Sequence, residues 1–201
     1  MPRTTDTRKR MVRSAAGLFR RQGYAATGWR QVVADSETPW GSQSHHFPGG
    51  KEELAVEAIA RSGAGYERLL ASAFASGPPG AAVRLWAETA AAELEASGWS
   101  DGCPIATIVL EQAHRSDPIA TACAEVLRSW QVVAADALAV RGVEPDDATR
   151  LGTTLVSAIE GALVLARAGR EPAPLLAVGE TLAELLDRAV TGAGSGSGAA
   201  P

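Results

Sequence analysis

The side chains that could do covalent or metal chemistry are few. The chain has two cysteines, Cys103 and Cys123, and three histidines, His45, His46 and His114. Cys103 precedes a predicted helix, where a thiolate could be stabilised, but no acid–histidine–nucleophile order accompanies it. His45 and His46 are adjacent, so on a helix they diverge by about 100° and cannot easily share a metal ion. We therefore expect no enzyme, no metal site and no cofactor.

A second set of side chains is suited to binding phosphate. Lys51 follows the helix-breaking run 47–50 and stands at the predicted start of a long helix. Its ammonium and the unpaired N–H groups of that helix start would attract the same anion. Thr27 is placed to cap a short helix through its hydroxyl, and His46 could donate to another phosphate. Phe47 would anchor the preceding helix in the core.

The charge of the chain is distributed unevenly. Residues 1–51 contain nine Lys or Arg and three Asp or Glu, a net charge of +6, whereas the whole chain carries −4. A basic end on an acidic body suggests that the N-terminal part meets a polyanion, although a solvated basic face gives the same count. We expect a cytoplasmic protein without a membrane partner. The sequence has only two cysteines, no secretion signal and no uncharged apolar run of about 18 residues.

The segments that must position these side chains all show helical patterns. No stretch alternates with a period of two, and Ala is the commonest residue. Predicted helices cover residues 7–21, 27–36, 39–46, 51–75, 81–96, 104–114, 117–141, 145–168 and 173–191. Three short helices in a basic segment are typical of a helix-turn-helix, and a helical hairpin inside a bundle is the alternative.

Several sequence blocks resemble one known family. The N-terminal blocks are Gly23-Tyr24-Ala25-Ala26-Thr27, Arg30-Gln31-Val32-Val33-Ala34, Gly41-Ser42 and His45-His46-Phe47-Pro48-Gly49-Gly50-Lys51-Glu52-Glu53-Leu54. Their spacing resembles the TetR family of transcriptional regulators, and the HHFPGGK joint is similar to its LmrA/YxaF-type subgroup. The later blocks are Gly102-Cys103-Pro104-Ile105-Ala106 with Leu110-Glu111, and Ile159-Glu160-Gly161-Ala162-Leu163 with Leu165-Ala166-Arg167.

The resemblance implies a division of the chain and a function. It implies an all-α fold of about nine helices, with a DNA-binding helix-turn-helix domain over 1–50, an effector-binding and dimerisation domain over 51–191 and, from composition, a disordered tail over 192–201. The implied function is a homodimeric repressor that leaves double-stranded operator DNA when a small hydrophobic, aromatic effector binds. Members of the subgroup respond to flavonoids and antibiotics. Repression and activation are both compatible with the sequence.

The residues expected to contact DNA lie in and around the second and third helices. They are Thr27, Arg30, Trp40, Gly41, Ser42, Gln43, Ser44, His46 and Lys51. Several positions depart from the family pattern: Glu37 stands where Gly is usual, and should take a left-handed backbone at a cost of about 1 kcal/mol. Gln43 replaces an aliphatic residue, Ser44 a Tyr, and Trp40 an Arg common in the subgroup. Either the operator is unusual, or the chain is a helical ligand- or partner-binding protein with weak or lost DNA binding.

The larger domain holds the expected effector site. Three of its tryptophans are flat and apolar, which suits an aromatic ligand, and core packing is the alternative for each. Two of its carboxylates, Glu111 and Glu160, are either ligand contacts or members of structural ion pairs. The expected effector residues are Tyr66, Trp86, Trp99, Cys103, Ile105, Thr107, Ile108, Glu111, Trp130 and Glu160.

The last two predicted helices each carry an apolar stripe. Two such helices from each of two subunits would form a four-helix bundle, and an intrachain core is the alternative. The expected dimer residues are Leu151, Leu155, Ile159, Ala162, Leu182 and Leu186.

Overall fold

The computed structural model of the chain describes residues 4–196. Over that range it is helical throughout, with nine helices and no strand. The helices are α1 Thr4–Ala26, α2 Trp29–Asp35, α3 Ser42–His46, α4 Gly50–Ala75, α5 Pro79–Ala96, α6 Pro104–Gln112, α7 Asp117–Ala139, α8 Pro145–Gly169 and α9 Ala173–Gly196. The predicted all-α fold is confirmed.

Most helix ends lie within three residues of the prediction, and three differences bear on the site or on the tail. Helix α1 does not stop at Arg21: it continues past a kink at Gly23, where φ is +83°. Helix α3 begins only at Ser42, because residues 39–41 form a turn. Helix α9 extends to Gly196, so the prediction of disorder is wrong for 192–196, where an established helix propagates at one hydrogen bond per added residue. The remainder of the predicted tail lies outside the described residues.

The chain forms two compact units. The first comprises Met1–Gly65 and Gly102–Val126, and the second comprises Tyr66–Asp101 and Leu127–Pro201. Helix α6 therefore belongs to the same unit as α1, α2 and α3. This division does not follow the expected functional boundary at residue 50, which remains a prediction.

The first unit is built around the buried face of α1. Met11, Ala15 and Phe19 are spaced four residues apart, so they share one face of the helix, and all are fully buried. Helix α6 packs against α1 and contributes Ile105 and Ile108, each at most 1% exposed. The guanidinium Nε of Arg20 on α1 also donates to the carbonyl of Gly102, just before α6, over 3.1 Å.

The second unit depends on close helix packing. Helices α5 and α9 approach so closely that a Cβ on Gly179 would overlap the Cβ of Ala87. A Cβ on Gly152 of α8 would lie 2.5 Å from the carbonyl oxygen of Gln131 on α7. Glycine is therefore required at both crossings, since any larger residue would force the helices apart.

Helix α8 has the length and composition of a membrane span. Among the described residues it is the one helix that meets that test, with a mean hydropathy of 1.4 over 18 residues. A helix that packs in a protein core has the same composition, and α8 buries Gly152, Leu155, Val156 and Ala166. Its hydropathy is therefore weak evidence for a membrane.

Candidate nucleic-acid interface

The short helix α3 is anchored at its C-terminal end. Phe47, which follows α3, is 2% exposed, as the sequence predicted. Its ring centroid lies 6.0 Å from that of Trp29 on α2, and the guanidinium of Arg8 on α1 lies 4.5 Å from the same ring. Contacts with both neighbouring helices fix the position of α3, so a specific face of this helix is presented to solvent.

The outward face of α3 and its preceding turn includes, besides Pro39, four exposed residues. Trp40, Gly41, Ser44 and His45 are exposed, and Trp40 retains 56% of its surface. Ser42 and Gln43 are half-buried. Of the residues expected to contact DNA here, Trp40, Gly41 and Ser44 are thus the most accessible.

His46 is not presented to solvent. It is 8% exposed, and burial, with the charges of His45 and Arg8, lowers the pKa of its imidazole. Its backbone carbonyl accepts a hydrogen bond from Arg8. The expected phosphate contact through the His46 side chain is therefore inconsistent with this conformation, because the sequence pattern did not show that the helix turns this residue inward.

Thr27 also has a different position from the one expected. Gly28 caps α2, and its N–H donates to the side-chain oxygen of Gln31 over 3.0 Å, so the prediction of Thr27 as the cap is wrong. Thr27 is 1% exposed and its hydroxyl donates to the carbonyl of Gly23 over 2.7 Å. The prediction was that the Thr27 hydroxyl accepts a hydrogen bond from a backbone N–H of α2. In the structure the hydroxyl instead donates to the carbonyl of Gly23, the residue at the kink of α1. Arg30, by contrast, is exposed on α2.

The turn between α2 and α3 contains the predicted backbone strain. Glu37 has φ of +50°, which confirms the left-handed conformation expected at this position. Two contacts support the turn: Arg10 donates to the Glu37 carbonyl over 3.2 Å, and the hydroxyls of Ser36 and Thr38 are 2.9 Å apart. The turn is therefore ordered although it lacks the glycine usual in the family.

Lys51, in the first turn of α4, is bound to α1. Its Nζ donates to the carbonyl of Tyr24 over 2.5 Å and lies 4.1 Å from the centroid of the Tyr24 ring. Burial lowers the pKa of the ammonium. The phosphate contact of Lys51 remains a prediction, and the structure adds a cation–π contact that ties α4 to the end of α1.

Glu111 on α6 binds the same part of α1. One carboxylate oxygen, Oε2, accepts a hydrogen bond from the backbone N–H of Ala25 over 2.7 Å. The other, Oε1, occupies the space that a Cβ on Gly23 would need. The sequence suggested a ligand contact or an ion-pair member, whereas in this structure the carboxylate binds the backbone of α1.

Sequence reasoning missed the contacts of Arg8. Its Nη2 lies 2.7 Å from Glu53 Oε1, and its Nε donates to Glu57 Oε1 over 3.0 Å. The guanidinium lowers the pKa of Glu53, with help from a hydrogen bond donated by the Gly49 N–H. Glu53 and Glu57 are four residues apart on α4, and that spacing was the available signal for a cation partner.

Half of the basic residues of α1 line a cleft of about 330 Å³. Arg10, Arg13 and Arg21 line this cleft together with Asp35 and Glu37. The N-terminal charge excess therefore lies partly on a defined surface of α1, next to the turn that precedes α3.

The ten expected effector residues divide between the two units. Cys103, Ile105, Thr107, Ile108 and Glu111 lie in the first, and Tyr66, Trp86, Trp99, Trp130 and Glu160 in the second. The Cys103 thiol caps α6 by accepting from the Ala106 N–H over 3.4 Å, while Ile105 and Ile108 are core residues.

In the second unit the aromatic residues are partly paired. The ring centroids of Tyr66 and Trp130 are 5.7 Å apart, and Trp130 is 2% exposed. Trp99 packs against the core cluster that includes Leu94 and Leu175, whereas Trp86 is half-buried. These burials agree with the core alternative stated for the tryptophans, and an effector contact remains a prediction.

Most of the expected dimer residues are inside the chain. Leu155, Ile159, Ala162, Leu182 and Leu186 are at most 5% exposed without any partner subunit, and Leu151 is half-buried. The five buried residues therefore belong to the core of the chain and not to a dimer interface. Each helix has a second apolar face, and helical periodicity alone does not separate the two faces. The large apolar residues that are exposed on the described parts of α8 and α9 are Val164, Leu165, Leu176 and Leu185.

Known proteins share both this sequence and this fold. Residues 79–181 match the family model for the transcriptional regulator LmrA/YxaF-like, C-terminal domain. The HTH-type transcriptional regulator YxaF of Bacillus subtilis strain 168 is 36% identical over 182 residues, which cover 90% of this chain and 95% of YxaF. The HTH-type transcriptional regulator LmrA of the same strain is 29% identical over 184 residues, covering 91% and 98%.

A solved structure supports the fold. The regulatory protein TetR from Rhodobacter sphaeroides superposes with a TM-score of 0.77 at 24% identity, over 88% of this chain and 96% of that one. The relatives are transcriptional regulators and not enzymes. The chain therefore belongs to the TetR family of DNA-binding transcriptional regulators, in its LmrA/YxaF-like subgroup.

Proposed function

We propose that this regulator is a repressor that leaves its operator when a small hydrophobic, aromatic effector binds. The observation that carries the proposal is the position of α6. This helix lies within the matched C-terminal domain, residues 79–181, yet it belongs to the same compact unit as the helix-turn-helix. A movement of α6 would therefore be passed directly to α1 and to the DNA-binding helices.

The operator would be bound by the outward face of α3, with Arg30 and the basic surface of α1 supplying contacts to phosphate. Base edges carry the sequence information, whereas phosphate contacts set position and affinity. The accessible positions Trp40 and Ser44 support base contacts, and Ser42 and Gln43 would join them if their side chains turned outward. The intact anchoring of α3 at Phe47 supports this reading over the loss of DNA binding.

The effector would bind in the second unit beside its aromatic side chains. The Tyr66 and Trp130 rings offer flat apolar surfaces 5.7 Å apart from centroid to centroid. Trp86 is half-buried on α5 and supplies a third. Aromatic ligands pair favourably with such rings in offset or edge-to-face arrangements, so a planar ligand of the flavonoid type is the expected class.

Release would pass through the contact between α6 and the end of α1. The Glu111 carboxylate bonds to the Ala25 N–H, and Lys51 bonds to the neighbouring Tyr24 carbonyl. Glu111 belongs to α6, whereas Lys51 belongs to α4, the helix that also carries Tyr66. A shift of either helix would move the end of α1 and would change the angle at which α3 meets the DNA. An effector that prefers the shifted state by about 1–3 kcal/mol would weaken operator binding 5- to 150-fold.

The repressor would act in the cytoplasm as a homodimer through exposed residues of α8 and α9. Leu165 is 62% exposed and Leu176 is 43% exposed in the single chain. TetR-family regulators bind operator DNA as dimers, and an apolar surface on two adjacent helices suits a four-helix interface. Two subunits would place their α3 helices on half-sites roughly 34 Å apart.

The proposal can be tested with Glu111 variants. An operator is first selected from random duplex DNA by the purified protein, and its dissociation is then followed by fluorescence anisotropy during titration with a panel of flavonoids. Wild type should release DNA with at least one compound. Glu111→Ala should bind the same operator but lose most of the release, because its carboxylate no longer links α6 to Ala25, whereas Glu111→Gln keeps an acceptor oxygen and should respond.

The control is Glu125→Ala, an exposed carboxylate of α7 in the same unit, which should respond like wild type. Failure to select any DNA sequence would support the alternative, a ligand- or partner-binding protein without operator affinity. Operator binding that no aromatic compound weakens would overturn effector-controlled release.

A further inference from the structure

The tryptophan that precedes α3 is more than half exposed to solvent. Trp40 keeps 56% of its surface accessible, while the neighbouring aromatics Trp29 and Phe47 are packed together. Covering so much exposed apolar surface with a partner would stabilise the complex, because apolar surface is removed from water. Its position, two residues before the start of α3 at Ser42, puts it on the face already assigned to DNA.

The composition of this face restricts which bases it can recognise. Between Thr38 and Gly50 there is no Lys, Arg, Asn, Asp or Glu. Arg or Lys most commonly reads guanine, Asn or Gln reads adenine, and Glu or Asp accepts from cytosine. Gln43 is the one candidate amide, but its side-chain oxygen is buried and without a hydrogen-bond partner among the described residues. The outward face has no group that reads guanine bidentately.

An apolar side chain does have a specific partner in the major groove. The C5-methyl group of thymine is the only apolar substituent that a standard base presents there. We propose that Trp40 is a specificity-determining residue that packs on the methyl group of a thymine in each half-site. This inference rests on the proposed operator binding through α3, and it names the base that the α3 face selects.

The test removes a single methyl group from the DNA. In the selected operator, each thymine of the half-site is replaced in turn by deoxyuridine, which keeps the hydrogen-bonding groups and loses only the methyl. For the wild-type protein, replacement of thymine by deoxyuridine at one position should weaken binding about 4-fold. That is the effect of removing one methyl-sized group from an apolar contact. At that position, 5-methylcytosine should bind more tightly than cytosine.

Protein variants connect this effect to Trp40. Trp40→Ala should bind the thymine and deoxyuridine operators equally, because nothing remains to contact the methyl. Trp40→Arg should exchange the preference for thymine at that position for guanine. Leu110→Ala is the matched control, since Leu110 is a 78% exposed apolar residue of the same unit on α6, and it should retain the 4-fold effect.

The outcomes separate this inference from the proposed function. Selected DNA that binds tightly but shows no deoxyuridine effect, or an effect that persists in Trp40→Ala, would overturn the thymine contact and leave operator binding intact. If no DNA sequence is selected at all, operator binding and the thymine contact fail together. Circular dichroism of Trp40→Ala, an exposed substitution, checks that the fold is preserved.

Discussion

The carboxylate of Glu111 fills the space beside Gly23 that a side chain would need. Gly23 lies in the kink of α1 with φ of +83°, and Glu111 Oε1 lies closer to the position of its missing Cβ than real side chains approach. The same carboxylate accepts from the N–H of Ala25 over 2.7 Å. A glycine is therefore required by both backbone conformation and packing.

Gly23→Ala should destabilise the protein by about 1–3 kcal/mol, because φ of +83° with ψ of 174° is a backbone conformation that essentially only glycine adopts, with a further loss from displacing Glu111. Urea unfolding measures both parts. In a Glu111→Ala background the packing part disappears, so the cost of Gly23→Ala should fall toward the backbone value. Equal costs in the two backgrounds would contradict the contact between these residues.

Glu37→Gly should stabilise the protein by about 1 kcal/mol, since glycine adopts φ of +50° without the steric cost of a Cβ. Glu37→Asn should give an intermediate gain, because Asn tolerates this conformation better than Glu. The hydrogen bond from Arg10 is preserved in both, since it is accepted by the backbone carbonyl. The urea midpoint should rise with an unchanged m-value, and a fall in the midpoint would show that the Glu37 side chain itself stabilises the turn.

Arg8→Ala should reduce the free energy of unfolding by about 1 kcal/mol near pH 7, because a third of the Arg8 side chain is exposed and solvent screens its ion pairs. Arg8 lowers the pKa of Glu53, so the ionised carboxylate stabilises the folded state above the unfolded pKa of about 4.3. That contribution is lost as the pH falls through the lower folded pKa.

The difference between wild type and Arg8→Ala should therefore narrow when unfolding is measured at pH values below about 4. Arg150→Ala removes an exposed ion pair with Asp147 on α8 and should change stability little at any pH. A gap between wild type and Arg8→Ala that stays constant down to pH 3 would contradict the assignment of Glu53.

Leu165→Glu should convert the proposed dimer into a folded monomer, because it places a charge on the exposed apolar face of α8. Sedimentation velocity at micromolar concentration measures the change, and operator affinity should fall with it. Val140→Glu, an equally apolar and 80% exposed site on the same unit, is the control and should remain dimeric. Leu155→Glu should unfold the chain, since Leu155 is fully buried. Dimeric Leu165→Glu would place the interface elsewhere.

The sequence predicted the helices well because their periodicity is strong and proline or glycine interrupts the chain between them. It also predicted the anchoring of Phe47, and the left-handed turn at Glu37 was predicted from the resemblance to a family that usually has Gly at this position. The contacts of Arg8 with Glu53 and Glu57 were missed because they join residues 45 and 49 positions apart. No local pattern specifies which distant side chain a cation meets.

The dimer residues illustrate a different limit. Helix α8 has apolar residues on more than one face, and the periodicity of Leu155 and Ile159 is the same whether they meet α9 of the same chain or a second subunit. Only the packed structure separates the buried stripe from the exposed Val164 and Leu165. The sequence also did not show which side of α3 faces the core, because a helix of five residues is too short for its periodicity to define a buried face.

Helix α6 lies in the matched C-terminal domain but packs in the unit of the helix-turn-helix, and this has a practical consequence for dividing the protein into fragments. The compact unit that contains the helix-turn-helix is assembled from two separate stretches, residues 1–65 and 102–126. A fragment cut after residue 50 would lose both α4 and α6, and with α6 it would lose a helix that packs against α1. Chimaeras that exchange DNA-binding specificity between relatives would then need three junctions, one inside α4, one before α6 and one inside α7, to transplant the unit whole.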